Sequence, residues 1–225
     1  HHKNVHSYLF HLNLMTLGES LLLLCFFSMK RHAEQVLSEV LTGSLIVPTM
    51  KTEKIRREKQ MNKTLIAYFS ATHTTEHLAK KLANVVQGDL FEIVPVKRYT
   101  EEDLNWNDEN SRSSIEMKDP ACRPAIASTL NNMEEYDTVF VGFPIWWYEA
   151  PRIIQTFLES YDWKEKCILP FATSGGSGMG KTVSILKNSC PHGEIMEGRR
   201  FFASTSEKEL AKWIEEIKEK REGKK

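Results

Sequence analysis

Thr64-Leu65-Ile66-Ala67-Tyr68-Phe69-Ser70-Ala71-Thr72-His73-Thr74-Thr75 changes character halfway along. Leu65 to Phe69 is a short run of strand formers, apolar on both faces, as in a buried strand at the centre of an α/β sheet. The chain then turns to hydroxyls at Ser70, Thr72, Thr74 and Thr75. A helical pattern comes next, with Leu78, Leu82 and Val85 at i, i+4 and i+7.

Strand, hydroxyl-rich loop and helix in that order suit a phosphate. The first amides of a helix have no partner within it, and the macrodipole makes that end positive. A phosphate there accepts hydrogen bonds from backbone N–H groups, and Ser and Thr hydroxyls add donors. Thr72 or Thr74 acting as a plain helix cap explains one hydroxyl, not four within six residues. Residues 70 to 78 hold no glycine and no lysine. That excludes a nucleotide P-loop and a dinucleotide fingerprint, which need both or the first. No acidic residue stands at the strand end, as a phospho-receiver domain would require. A small monophosphate ligand fits better than a triphosphate.

The chain has 225 residues, enough for one domain with a sizeable core and an appendage. Its 30 Lys+Arg and 30 Asp+Glu cancel, so no global charge points to nucleic acid. Cys25, Cys122, Cys167 and Cys190 show neither metal-site nor redox-motif spacing. Scattered single cysteines fit a reduced, cytoplasmic protein, and Cys167, in an apolar run, reads as an inert core thiol. His1, His2, His6 and His11 lack any ordered frame for a metal.

Residues 1–60 look foreign to the rest of the chain. The run Leu21 to Phe27 is too short to span a bilayer. Residues 1–28 hold the elements of a signal segment but no small-residue cleavage site, so export or membrane anchoring is the alternative reading there. Met61 stands immediately before the first good strand. The expectation is an N-terminal extension over 1–60, outside a single domain over 61–221.

From Met61 the pattern is regular. Asp89 to Val94 reads as a second strand, stopped by Pro95. Residues 97–124 form a long polar stretch carrying Tyr99 and Trp106, and such loops are usually functional or mobile. Trp106 is expected to anchor it; Tyr99 is undecided. Residues 126–134 read as a short helix. Thr138 to Phe143 is a third buried strand, ending in Pro144-Ile145-Trp146-Trp147-Tyr148. Pro151 opens a helix with Ile154, Phe157, Leu158 and Tyr161 inward. A fourth strand, Cys167 to Ala172, ends in Thr173-Ser174-Gly175-Gly176-Ser177-Gly178, and a helix comes after it. A fifth strand lies near Ile195 to Ala203. Ser206 and Glu209 form a capping box for the last helix, whose apolar face is Leu210, Trp213, Ile214 and Ile217.

Five strands alternating with helices predict a parallel sheet covered on both faces, with right-handed crossovers. Ligands of such sheets bind beyond the carboxyl ends of the strands. Residues 70–75, 144–148 and 173–178 occupy three such ends. The first offers a phosphate site, the second aromatics for a flat ring, and the third backbone N–H groups that can approach a polar ring edge closely. Three consecutive large aromatics cannot all pack inward, because neighbouring side chains point different ways. Phosphate, flat ring and polar edge together describe flavin mononucleotide (FMN).

At these residues the sequence resembles the flavodoxin family, and within it a flavodoxin-like subgroup with a Pro-Ile-Trp-Trp segment. The resemblance covers about residues 62–217. Ser70 to Thr75 matches the family's phosphate loop, usually Ser-x-Thr-Gly-Asn-Thr; Pro144 to Tyr148 matches its aromatic flavin loop, and Thr173 to Gly178 its third loop. This implies a flavodoxin-like three-layer doubly wound fold, with a five-stranded parallel sheet in the order 2-1-3-4-5. It also implies non-covalently bound FMN and electron transfer between redox partner proteins, a reductase and an acceptor. Ser70, Thr72, Thr74 and Thr75 would hold the phosphate, with His73 beside it. Trp147, or Trp146, would stack on the ring, within the loop Pro144, Ile145, Trp146, Trp147 and Tyr148. Thr173, Ser174, Gly175, Gly176, Ser177 and Gly178 would meet its pyrimidine edge. His73 replaces the family's usual Gly, and Thr74 its frequent Asn. Charge differs too: carrier flavodoxins tend to be strongly acidic, and this chain is only mildly so after residue 60. An NAD(P)H-dependent quinone or flavin oxidoreductase is therefore the second reading, and a fold that has lost FMN the third.

Overall fold

The computed structural model describes Lys30 and residues 63–223. The expectation of an extension over residues 1–60, and of an export or anchoring role for 1–28, lies outside the described residues, Lys30 apart. Residues 63–223 run β1 (Lys63–Tyr68), α1 (Thr74–Val86), β2 (Asp89–Glu92), α2 (Arg112–Lys118), a 3-10 turn (Met133–Glu135), β3 (Tyr136–Pro144), α3 (Arg152–Glu159), β4 (Cys167–Thr173), α4 (Thr182–Ser189), β5 (Glu194–Ile195), β6 (Arg199–Phe201) and α5 (Glu207–Glu222).

The strands pair in parallel in the order β2-β1-β3-β4-β5, and β6 continues the fifth position along β4. This is the doubly wound α/β sheet expected. The fifth strand is split: Glu194 and Ile195 pair with Cys167 and Ile168, and Arg199 to Phe201 pair with Phe171 to Thr173. Between them Gly198 lies close against Pro170: a Cβ there would stand 3.0 Å from Pro170 O and 3.1 Å from Pro170 Cβ.

Apolar residues on both strand faces reflect two layers of helices. Leu65, Ala67, Phe69, Val139, Val141 and Ala172 meet Ile153, Ile154, Phe157 and Leu158 of α3. Ile66, Tyr68, Phe140, Leu169 and Phe171 meet Leu78 and Leu82 of α1 and Leu210 and Trp213 of α5. The alternation of period two divides each strand between the two cores. Gly142 lets Phe171 lie across β3; a Cβ there would sit 2.2 Å from the ring.

Two expectations need correcting. Residues 126–132 form no helix. Ile126 makes an antiparallel bridge to Pro95, and only Met133–Glu135 turns, as 3-10. The polar stretch is not all loop either. Ser111 caps α2 by accepting from Ser114 N–H, and Asp119 ends it. Cys167 and Cys190 are buried, which pushes the Cys190 thiol up to about 11 and raises that of Cys167. Among the described residues no helix is long and apolar enough to cross a membrane, and no group of His, Cys, Asp and Glu could hold a metal.

Candidate functional site

Parallel strands carry β1, β3 and β4 to one edge of the sheet, and their three outgoing loops meet there. The first loop ends at His73, which precedes α1 with φ 61° and ψ −6°, a left-handed conformation. An imidazole side chain there is strained by roughly 1 kcal/mol. It explains why Gly is the usual residue at this position. The first helical bond is His77 N–H to His73 O at 3.0 Å, and no side chain caps α1. The amides of Thr74, Thr75 and Glu76 therefore precede any helical partner. Helices α2 and α5 differ: Ser111 caps one, and Ser206 with Glu209 forms the capping box of the other.

The four hydroxyls divide. Ser70 Oγ is buried with no hydrogen-bond partner among the described residues. Thr72 Oγ1 and Thr74 Oγ1 lie 3.3 Å apart on the exposed side. Thr75 turns inward, and its Oγ1 lies 2.8 Å from that of Thr173. Glu76 stands in the first turn of α1. Lys80 Nζ donates to it at 2.5 Å, and His73 Nδ1 lies at 2.6 Å. The Lys80 hydrogen bond, then that of His73, holds the Glu76 carboxyl down to about 2. Its charge is thus answered locally, so it does not empty the site of anions.

The second loop is a two-residue turn. Trp146 and Glu149 exchange both backbone hydrogen bonds at 2.9 Å. Trp147 and Tyr148 between them have φ 46° and 66°. Both central residues of such a turn need positive φ, which favours Asn-Gly. Two aromatics in this position hold strain of the kind that clusters at functional sites. Their neighbour differs. Trp146 packs edge-on against Phe69 at 5.6 Å and Tyr99 at 5.3 Å, so it is the aromatic that joins the core. Trp147 is 44 % exposed and Tyr148 69 %. Behind Trp146, the Tyr99 hydroxyl donates to Glu116, Arg112 Nε donates to Glu116 at 2.6 Å, and the guanidinium lies 4.0 Å from the Tyr99 ring centre. Burial, then the Glu116 carboxylate, pushes the Tyr99 phenol up. Tyr99 is thus a fixed support under the turn.

The third loop leaves β4 at Thr173. Thr173 O accepts from Ile145 N–H at 3.0 Å, and Ser174 N–H donates to Phe201 O at 3.3 Å. Gly176 N–H donates to Ser174 Oγ at 3.2 Å. Nothing lies within 4 Å of a Cβ built on Gly175, Gly176 or Gly178, so their backbone is open on that side. Gly180 is different: its φ is +50°, and a Cβ there would stand 2.8 Å from Tyr148 O. The far end of the third loop is seated on the aromatic turn.

A cavity of about 470 Å³ opens between these loops. Ala71 and Thr72 line it from the first loop, Pro144 to Tyr148 from the second, and Ser177 from the third. Its volume lies within the roughly 300–1,000 Å³ usual for small-ligand sites. Leu104, Trp106 and Ser113 complete the wall. Trp106 is not the buried anchor expected; it is 73 % exposed and stands at the rim. Leu104 and Ser113 were hidden in the polar stretch, whose length was the only signal. Ser70, His73, Thr74, Ser174, Gly175, Gly176 and Gly178 lie in the same loops without lining this cavity. Thr75 and Thr173 are buried beneath it. A larger hollow, about 640 Å³, is walled by the opposite strand ends around Tyr136 and Lys166.

The flavodoxin family model matches residues 63–217. A putative flavoprotein from Bacteroides eggerthii is 50 % identical, with a TM-score of 0.66, over 69 % of this chain and 97 % of that one. One from Bacteroides uniformis is 47 % identical, with a TM-score of 0.66, over 69 % and 99 %. A flavoprotein from Lactobacillus acidophilus, solved in complex with FMN, shares the fold at 22 % identity and a TM-score of 0.53, over 68 % and 98 %. A comparison with curated proteins gave no significant match.

Proposed function

We propose that this chain, which belongs to the flavodoxin family, holds FMN non-covalently in a unit over residues 61–221 and carries electrons between protein partners. The observation that carries this reading is the N-terminus of α1, which no side chain caps and whose first helical bond is made only by His77 N–H; Ser70 Oγ lies in the loop before it. It is a buried donor with no partner among the described residues, beside the uncapped N-terminus of α1. An unpaired buried hydroxyl is costly unless a ligand satisfies it. A phosphate at this helix end accepts from the amides of Thr74, Thr75 and Glu76. The FMN complex of the Lactobacillus acidophilus relative adds support from the fold.

The residues present fit the group along its length. Ser70, Thr72 and Thr74 offer hydroxyls to the phosphate. Trp147, half exposed over the cavity, is placed to stack on a flat ring, and Trp146 backs it through Tyr99 and Phe69. The open backbone of Gly175 to Gly178 suits close approach of a polar ring edge. FMN supplies the redox chemistry; the chain binds it, orients it and shields one side from water.

Two features favour a protein partner over a nicotinamide dinucleotide. No Lys or Arg is among the residues lining the cavity, so a diphosphate bridge would meet no cation there. The rim segment 101–109 carries Glu101, Glu102, Asp103, Asp108 and Glu109, with Trp106 among them. An acidic rim around an exposed aromatic suits a partner with a basic face. The test is to load the chain with FMN and compare two reactions. Turnover of a quinone with NADPH should be negligible, and electron exchange with a basic redox protein should be fast and slow steeply with added salt. Rapid NADPH-driven quinone turnover would establish the oxidoreductase reading instead.

A further inference from the structure

Arg199 and Arg200 are neighbours on β6 and leave it on opposite faces. Arg199 takes the α5 side and pairs with Glu216 at 2.6 Å. Arg200 takes the other face, which carries the third loop. Gly198 marks that face, because a Cβ on it would point at Met179 Cε, 2.5 Å away. The Arg200 guanidinium lies 4.0 Å from the ring centre of Phe202, two residues further on. The side chain therefore runs along β6 toward its carboxyl end. There Ser174 N–H, at the start of the third loop, donates to Phe201 O at 3.3 Å. Arg200 does not line the cavity; its Nη1 is buried, with no hydrogen-bond partner among the described residues. A buried guanidinium N–H left unpaired is costly. Stacking on the half-exposed Phe202 ring offsets only part of that cost.

We propose that Arg200 is a positive charge held beneath the ring end of the site, where it raises the midpoint potential of bound FMN. This rests on the FMN reading above, in which the third loop meets the polar edge of the ring. Uptake of two electrons from a redox partner and one proton from water leaves one negative charge on a ring that is neutral when oxidised. A cation fixed near the polar edge therefore favours the reduced form. The acidic rim over residues 101–109 acts in the opposite sense from the solvent side, where salt screens it. Arg200, with a buried N–H, is screened less.

The test is to load the full chain with FMN and read its two-electron midpoint potential against reference dyes, in low and in high salt. Arg200→Met keeps an apolar stem against Phe202 and removes the charge. It is expected to melt no lower than the wild type, since an unpaired group is lost. Its equilibrium between reduced and oxidised forms is expected to fall about tenfold, about 30 mV for two electrons, in both salts. Arg200→Lys keeps the charge and should stay close to the wild-type potential. Arg199→Met removes an equal charge from the opposite face and should leave the potential unchanged. Arg200→Gln gives the same reading if Arg200→Met fails to fold. A folded, uncharged variant at position 200 with the wild-type potential overturns the proposal. An equal fall in Arg199→Met overturns it by making net charge the cause, and an equal fall in Arg200→Lys by making packing the cause. Wild-type protein that takes up no FMN overturns the FMN reading and this proposal with it; bound FMN whose potential ignores Arg200 overturns this proposal alone.

Discussion

Ser70 and Glu76 each carry a prediction at the scale of a single group. Ser70 Oγ lies buried with no partner among the described residues, so removing it should not harm the folded chain. Ser70→Ala is expected to leave the melting temperature unchanged or higher and to weaken FMN by about tenfold, roughly one charge-assisted hydrogen bond. A stability loss without an affinity loss would mean that Ser70 serves the fold. Glu76 gives a pH prediction. Its folded value is depressed to about 2 from the usual 4.5, chiefly by Lys80 and then by His73. Its pairing therefore supports the fold fully above pH 4.5 and is lost as the pH falls toward 2. Because the group is on the surface, salt weakens the effect. Carboxyl titration by NMR should place Glu76 low in the wild type, and Lys80→Met should move it up. No movement would assign the shift to His73.

At the scale of elements, the two tryptophans should separate. Trp146 packs on Phe69 and Tyr99, so Trp146→Ala should cost about 2–3 kcal/mol of stability, less than a fully buried Trp. Trp147→Ala should leave stability nearly unchanged and shift the flavin potential. If Trp146→Ala alone shifts the potential, Trp146 is the stacking ring. The docking of the third loop on the second is tested at Gly180, where positive φ and the nearby Tyr148 carbonyl both oppose a side chain. Gly180→Ala should destabilise the chain by about 2 kcal/mol and weaken flavin binding with it; wild-type melting would show that this contact contributes nothing. The three loops themselves are legible in the sequence because each breaks a strand pattern abruptly, at Ser70, Pro144 and Thr173. Helix α2 is not, because its stability comes from the Ser111 cap and from Glu116 bonding to Tyr99 and Arg112 rather than from an apolar stripe. Residues 126–132 fail in the opposite sense: spacing like that of a helix is overridden by pairing of Ile126 with Pro95. The inward turn of Thr75 depends on a residue 98 positions away, which local pattern does not encode.

For the whole molecule, the sheet brings three loops to one edge, each ending a strand buried on both faces. Sequence order alone supports that placement, since ligands of parallel sheets sit beyond the carboxyl ends of the strands. The cavity, the uncapped α1 and the buried Ser70 hydroxyl add what spacing could not: a shape, a free donor set and an unmet hydrogen bond. All of it supports one proposal, that the chain binds FMN. The direct measurement is the visible absorption spectrum of the purified full chain, before and after FMN is added, with gel filtration to separate free flavin. A flavin spectrum that travels with the protein is the expected result. A protein that stays colourless with excess FMN would contradict that proposal, and the strained His73 loop would then be where the fold lost its cofactor.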